Sequence, residues 1–122
     1  MDLFLGVDGG GSKTLAIVVD ESGRSLGVGL GGPGNFQGPG VEKARLAVQD
    51  SIEQALKQAG AELGNVRAAY FGMAGADRPA DFKIGRDLIR PLMPASTRWG
   101  VENDSTIGIW AGTGDGIGVG VI

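Results

Sequence analysis

A carboxylate, three glycines, two hydroxyls and an ammonium stand in one unbroken run, Asp8-Gly9-Gly10-Gly11-Ser12-Lys13-Thr14. Glycine has no Cβ, so consecutive glycines let backbone N–H groups come close to an anion. Asp8 alone would repel a phosphate, and a divalent cation such as Mg²⁺ between the two removes that conflict. Ser12 and Thr14 bring hydroxyls to the same place, and Lys13 either sets a point charge on phosphate or faces solvent. Apolar runs at 3–7 and 15–19 flank the segment, and the second is too short for a helix. The run therefore reads as strand–turn–strand. A Walker loop and a dinucleotide fingerprint both need a helix after the glycines, and none follows. A plain glycine hairpin would use the same residues.

Three further places can do chemistry. In Gly32-Pro33-Gly34-Asn35 the amide of Asn35 can donate and accept at once, which suits a hydroxyl-rich ligand, although Asn also forms turns. Asp104, in Val101-Glu102-Asn103-Asp104-Ser105, stands where a strand ends and a helix begins. A carboxylate there can accept a proton from an attacking hydroxyl or cap the helix, and the two roles are compatible. Glu102 and Asn103 are weaker candidates, because neighbours along a strand point to opposite faces. Gly75, in Met73-Ala74-Gly75-Ala76, follows a strand. Trp99 and Trp110 read as packing residues, Arg78, Lys83, Arg86 and Arg90 as a solvated helix face, and Asp77 and Asp81 as caps of that helix.

Periodicity supplies the elements that must hold these groups. Strands are predicted at 3–7, 14–19 and 25–30, with Glu21-Ser22-Gly23 as the second turn. The alternation Leu26-Gly27-Val28-Gly29-Leu30 suits a strand that a neighbour approaches closely on its glycine side. A glycine- and proline-rich loop spans 31–40. The clearest helix is 41–59, with Val41, Ala44, Val48, Ile52, Ala55 and Ala59 on one face and Gly60 as its C-cap. A strand at 67–73, a helix at 80–89 stopped by Pro91, a strand at 97–101, a short helix at 105–110 and a strand at 116–122 complete the order. Three hairpin strands followed by alternating helix and strand give an α/β domain of ribonuclease H-like order, with helices expected on both faces of a mixed sheet.

With 122 residues, one domain with a real core is expected. Eleven basic and 14 acidic residues leave a net charge of −3 and no basic stripe, which argues against nucleic acid. Cysteine and histidine are both absent, so disulfides, thiolate metal sites and imidazole chemistry are excluded within these residues. No apolar run approaches the about 20 residues that cross a bilayer. The N-terminus enters a strand at once, without the regions of a secretory signal, and a soluble cytoplasmic chain is expected.

Residues 8–14 resemble the first phosphate-binding loop of the actin-like ATPase superfamily of sugar kinases, heat-shock proteins and actin. The match is closest to its N-acetylglucosamine kinase-like and BadF/BadG-type ATPase branch. Gly32-Pro33-Gly34-Asn35 resembles the segment that this branch uses to reach a sugar, and Glu102-Asn103-Asp104 its catalytic aspartate segment. The three occur in family order and span nearly the whole chain. The resemblance implies ATP and Mg²⁺ as cofactors, with Asp8 holding the metal and Gly9, Gly10, Gly11, Ser12, Lys13 and Thr14 the phosphates. It further implies Asn35, Gly75 and Asp104 at the sugar and Asp104 as catalytic base. Gly112-Thr113-Gly114-Asp115 resembles the second phosphate loop in content, but it precedes the strand at 116–122 and so reads as a turn. On this reading residues 1–122 are the N-terminal lobe of a longer kinase for N-acetylglucosamine or a related amino sugar, and the second lobe lies outside the chain. Such a lobe alone is expected to be inactive, with a homodimer of the full-length protein left open. The alternatives are an activator ATPase of a radical dehydratase or reductase, or a non-catalytic lobe of the same fold.

Overall fold

The computed structural model describes residues 2–36, 40–74 and 78–102. The apolar runs flanking the glycines become β1 (Leu3–Gly9) and β2 (Thr14–Val19), antiparallel and in register from Phe4 opposite Val19 to Gly9 opposite Thr14. A tight turn leads to β3 (Ser25–Gly31), antiparallel to β2. There the Asp20 carboxylate accepts from the Ser22 hydroxyl and from the Ser22 and Arg24 amides, and Gly23 takes φ 85°. The Ser22 hydroxyl is the largest reason that the Asp20 carboxyl lies below its ordinary pKa. Next come α1 (Val41–Ala59), β4 (Val66–Met73), α2 (Pro79–Ile89) and β5 (Arg98–Glu102). β4 is parallel to β1 and β5 to β4, which gives a mixed sheet in the order β3-β2-β1-β4-β5.

Both ends of α1 fall where the sequence puts them. Gly60 closes it in the left-handed conformation at φ 68°, its N–H donating to Lys57 O at 3.2 Å. Two short 3-10 turns, Leu63–Asn65 and Arg90–Leu92, were not in the periodic pattern. The predicted short helix at 105–110 and strand at 116–122 lie outside the described residues.

Strand register sorts the side chains. Thr14, Ala16 and Val18 of β2 pair with Gly9, Val7 and Leu5 of β1, and these pair with Met73, Phe71 and Ala69 of β4. All nine are buried, and this face carries the core. α1 lies on it through Ala44, Ala47, Val48, Ser51, Ile52, Ala55 and Leu56. Val41, expected on the apolar face, is exposed instead, while Ala47 and Ser51 turn towards the sheet. α2 covers the same face, since its Gly85 sits over Val101 of β5 and Arg45 Nε of α1 donates to Leu88 O at 2.9 Å. The expectation of helices on both faces therefore reduces, among the described residues, to two helices on one. The chain moves in the same direction along the sheet from β3 to β4 and from β4 to β5, and two crossovers of one hand place both helices together. On the opposite face Val28 and Leu30 are exposed, Leu30 by 53%. Trp99 packs edge-on against Phe71, with ring centroids 6.5 Å apart. No helix among the described residues is long and apolar enough to cross a membrane.

The glycine alternation in β3 has a specific cause. A Cβ added at Gly27, Gly29 or Gly31 would overlap the carbonyl oxygen of Ala55, Ser51 or Ala47 respectively. Helix backbone thus rests directly on strand backbone. That approach carries α1 far enough over the edge for its side chains to reach round it. Gln58 Oε1 accepts from Val28 N–H at 2.7 Å, Gln54 Oε1 from Leu30 N–H at 3.2 Å, and Gln54 Nε2 donates to Leu30 O at 2.7 Å. Two glutamines thereby close groups that an edge strand would present to another chain. Replacing both Gln54 and Gln58 by alanine is expected to quicken hydrogen exchange at the Val28 and Leu30 amides by about fivefold, since a net hydrogen bond contributes on the order of 1 kcal/mol. Unchanged exchange at both amides in the double variant would count against the closure.

Candidate functional site

Everything in residues 8–14 follows from how β1 leaves the sheet. Asp8 and Gly9 are the last residues of β1, and the chain turns back through residues 10–13, closed by Gly10 N–H donating to Lys13 O at 2.9 Å. Gly11, Ser12 and Lys13 are exposed at the tip. A Cβ at Gly11 would meet nothing within 4 Å, and the Gly11 and Ser12 amides take no partner within the described residues. An anion can therefore approach these two N–H groups from solvent, with the Ser12 hydroxyl and the Lys13 ammonium beside them. The hairpin fits a phosphate.

Gly9 needs its small size for a different reason. An added Cβ there would stand 3.1 Å from Met73 Sδ and 3.3 Å from Gly34 O, so two segments close on it at once. Gly9 O accepts from Ala74 N–H at 2.9 Å, and Gly10 O accepts from Gly34 N–H at 3.0 Å. The chain after β4 and the chain after β3 are thus both hydrogen-bonded to the glycine turn.

Asp8 is exposed on the face opposite the helices. Register places Gly72 of β4 beside it and Glu102 of β5 beside Gly72, in one row near the carboxyl ends of three parallel strands. Open α/β sheets bind ligands at that end. Glu102, set second to Asp104 from sequence, shares a face and a row with Asp8; its place two positions from Asp104 gave the parity needed to see this. Among the described residues no group of three or more acidic or other ligating side chains gathers to cage a metal. A hydrated Mg²⁺ held by Asp8 and by phosphate oxygens needs no such cage.

Thr14 departs from its expected place among the phosphate ligands. Its side chain is fully buried on the helix-covered face, and its hydroxyl donates to Gly32 O at 2.8 Å. Here it ties the loop after β3 to the hairpin. Gly34, which the sequence left without a role, is buried against it, and a Cβ on Gly34 would stand 2.5 Å from Thr14 Oγ1 and 2.8 Å from Gly9 Cα. Phe36 anchors the far side of the loop in the core. Half-buried Asn35 is held between buried Gly34 and buried Phe36, next to the glycine turn. Asp81 accepts from Arg78 N–H at 3.1 Å and opens α2, while Arg78, Lys83, Arg86 and Arg90 are exposed as expected. Gly75, Asp77, Asn103, Asp104, Trp110 and residues 112–115 lie outside the described residues.

Comparison with known proteins supplies the context. A profile of the BadF/BadG/BcrA/BcrD ATPase family matches residues 5–122. The N-acetyl-D-glucosamine kinase of Dictyostelium discoideum is 26% identical over 119 residues, which are 92% of this chain and 37% of that protein. The N-acetylmuramic acid/N-acetylglucosamine kinase of Clostridium acetobutylicum is 35% identical over 92 residues, 75% of this chain and 30% of that one. The chain thus spans about a third of the length of the curated relatives it matches. Among solved structures, a ROK family glucokinase from Streptomyces griseus, in complex with glucose and AMPPNP, superposes with a TM-score of 0.62 at 25% identity over 95% of this chain and 38% of its own. A Chromobacterium violaceum protein assigned as an N-acetylglucosamine kinase superposes with a TM-score of 0.66 at 24% identity, over 90% of this chain and 39% of that one, and speaks to the fold.

Proposed function

The chain belongs to the BadF/BadG/BcrA/BcrD ATPase family, and from that premise we propose that it is the N-terminal lobe of an ATP-dependent, cytoplasmic sugar kinase acting on N-acetylglucosamine or a related amino sugar. One observation carries this reading. The Asn35 loop and the chain after β4 are both hydrogen-bonded to the glycine hairpin at the carboxyl end of β1. A phosphate donor and a hydroxyl acceptor must meet within a few ångströms, and this is the arrangement that brings two ligand-binding segments into contact.

In the proposed lobe the Gly11 and Ser12 amides, the Ser12 hydroxyl and Lys13 hold phosphate oxygens. Gly9 and Gly10 shape the turn and bind its neighbours. Asp8 faces the cation through water, and Mg²⁺, when bound, offsets negative charge on the phosphates. Asn35 orients the sugar by donating and accepting through one amide. Gly75 and Asp104 keep the roles the family resemblance gives them, beside the sugar and as proton acceptor.

The test is ADP release by a chain of the relatives' full length. N-acetylglucosamine is expected to raise ADP release by at least about 10²-fold over the sugar-free rate, with a sugar phosphate formed in equal amount. ADP release that ignores every amino sugar, and instead accompanies electron transfer to a dehydratase or reductase, would replace the kinase by the activator ATPase.

A further inference from the structure

The Gly10–Gly11 peptide unit lies between the two proposed ligand sites, and its two ends serve different ones. Its carbonyl oxygen accepts from Gly34 N–H at 3.0 Å, one residue before Asn35. Its N–H, on Gly11, has no partner within the described residues and opens on solvent. There is no cis bond among the described residues, so C=O and N–H of this unit point in opposite directions. We infer that this one peptide couples the phosphate site to the sugar loop, and that Thr14 is the positioning residue that makes the coupling effective. The inference rests on the kinase reading of the site given above.

Two physical effects run through the same plane. An anion accepting from Gly11 N–H polarises the peptide and strengthens the bond its carbonyl receives from Gly34. Any rotation of the plane towards the anion also carries Gly34, because the loop cannot stay behind. Thr14 Oγ1 holds Gly32 O at 2.8 Å, Phe36 is set in the core, and Gly34 packs on Gly9 with no room for a Cβ. With the loop fixed at 32, 34 and 36, motion of the peptide arrives at Asn35 rather than dissipating in a slack segment. Binding either ligand pre-orders the loop for the other, and the coupling is reciprocal.

The experiment is a two-ligand cycle on a chain of the relatives' full length, read by ¹H–¹⁵N NMR, with Mg·AMPPNP and N-acetylglucosamine as probes. The Gly11 and Ser12 amides report the first ligand and the Asn35 side-chain amide the second. In the unaltered chain each ligand is expected to raise affinity for the other by about fivefold or more, the lower end of usual coupling between sites. Thr14→Val keeps shape and loses the hydroxyl, and is expected to bring that factor close to one while Mg·AMPPNP still shifts Gly11 and Ser12. Thr14→Ser, which keeps the hydroxyl, restores it. Gly34→Ala wedges the loop from the turn and should abolish coupling in the same way, which decides the matter if Thr14→Val does not fold. Full coupling in a folded Thr14→Val or Gly34→Ala chain overturns the inference and leaves the kinase reading intact. Absence of any shift with either probe, alone or together, overturns both.

Discussion

Gly29→Ala is expected to destabilise the fold by about 3 kcal/mol, the upper end of overpacking costs, and to lower the thermal midpoint by about 10 °C. The added methyl would overlap Ser51 O and stand 2.8 Å from Ala55 N, and both belong to helix backbone. Flexible side chains can swing away from such a contact; a hydrogen-bonded helix can only lift as a body. Lifting α1 would loosen Val48 and Ile52 in the core and draw Gln54 and Gln58 off the edge of β3. Opposing this, alanine gains about 0.5–1 kcal/mol over glycine in an element interior by ordering the unfolded chain less expensively. The steric term is several times larger and wins. Gly64→Ala is the control, since nothing lies within 4 Å of a Cβ there, and it should stay within about 0.5 kcal/mol of the unaltered chain. A Gly29→Ala variant as stable as the Gly64→Ala control, by thermal unfolding followed by circular dichroism, would mean that α1 does not sit on β3 as described.

Asp104→Asn, in a chain of the relatives' full length, is expected to reduce kcat by about 10² or more, the usual scale for losing a positioned general base. Asparagine keeps the size and much of the helix-capping capacity of aspartate but cannot accept the proton of the attacking hydroxyl. The sugar KM should change less, because an amide still hydrogen-bonds a hydroxyl. Asp8→Asn is expected to behave differently: raising the Mg²⁺ concentration recovers part of its activity and none of the loss at Asp104. Near-normal turnover of Asp104→Asn on several amino sugars would reduce that residue to a cap and remove the main chemical support for the kinase.

Local rules account for much of what could be read from the sequence. The apolar runs beside Asp8 and Thr14 had only one length and one period, so β1 and β2 were legible as strands. Gly60 marked the end of α1 because a left-handed residue there is inexpensive only for glycine. The glycine alternation in β3 announced a close neighbour without saying which, since the helix that supplies it begins ten residues after the strand ends. Thr14 was misplaced among the phosphate ligands although period two already put it on the face of Ala16 and Val18, away from solvent. Gly34, Gln54 and Gln58 act on residues 20 to 30 positions distant, Gly34 on Thr14 and Gly10 and the glutamines across an edge, and no local pattern encodes such pairs. That α1 and α2 share a face depends on strand order, which periodicity does not contain.

The seating of α1 on β3 is also a vernier. Ala47, Ser51 and Ala55 recur every four helical residues, about 6.0 Å of rise, while Gly31, Gly29 and Gly27 recur every two strand residues, about 6.6 Å. The two scales lose step by only about 0.6 Å per notch, so steric fit alone would nearly permit the helix to slide one notch along the strand. Sliding by one notch is opposed by the bonds of Gln54 and Gln58, because it would leave one glutamine facing an edge amide and take the partner from the other. A lineage that lengthens β3 by two residues can then keep the fold by lengthening α1 by four, with the glutamines carried along. Length changes in this half of the domain should come in that ratio of two to four, and single-residue insertions in either element should be poorly tolerated.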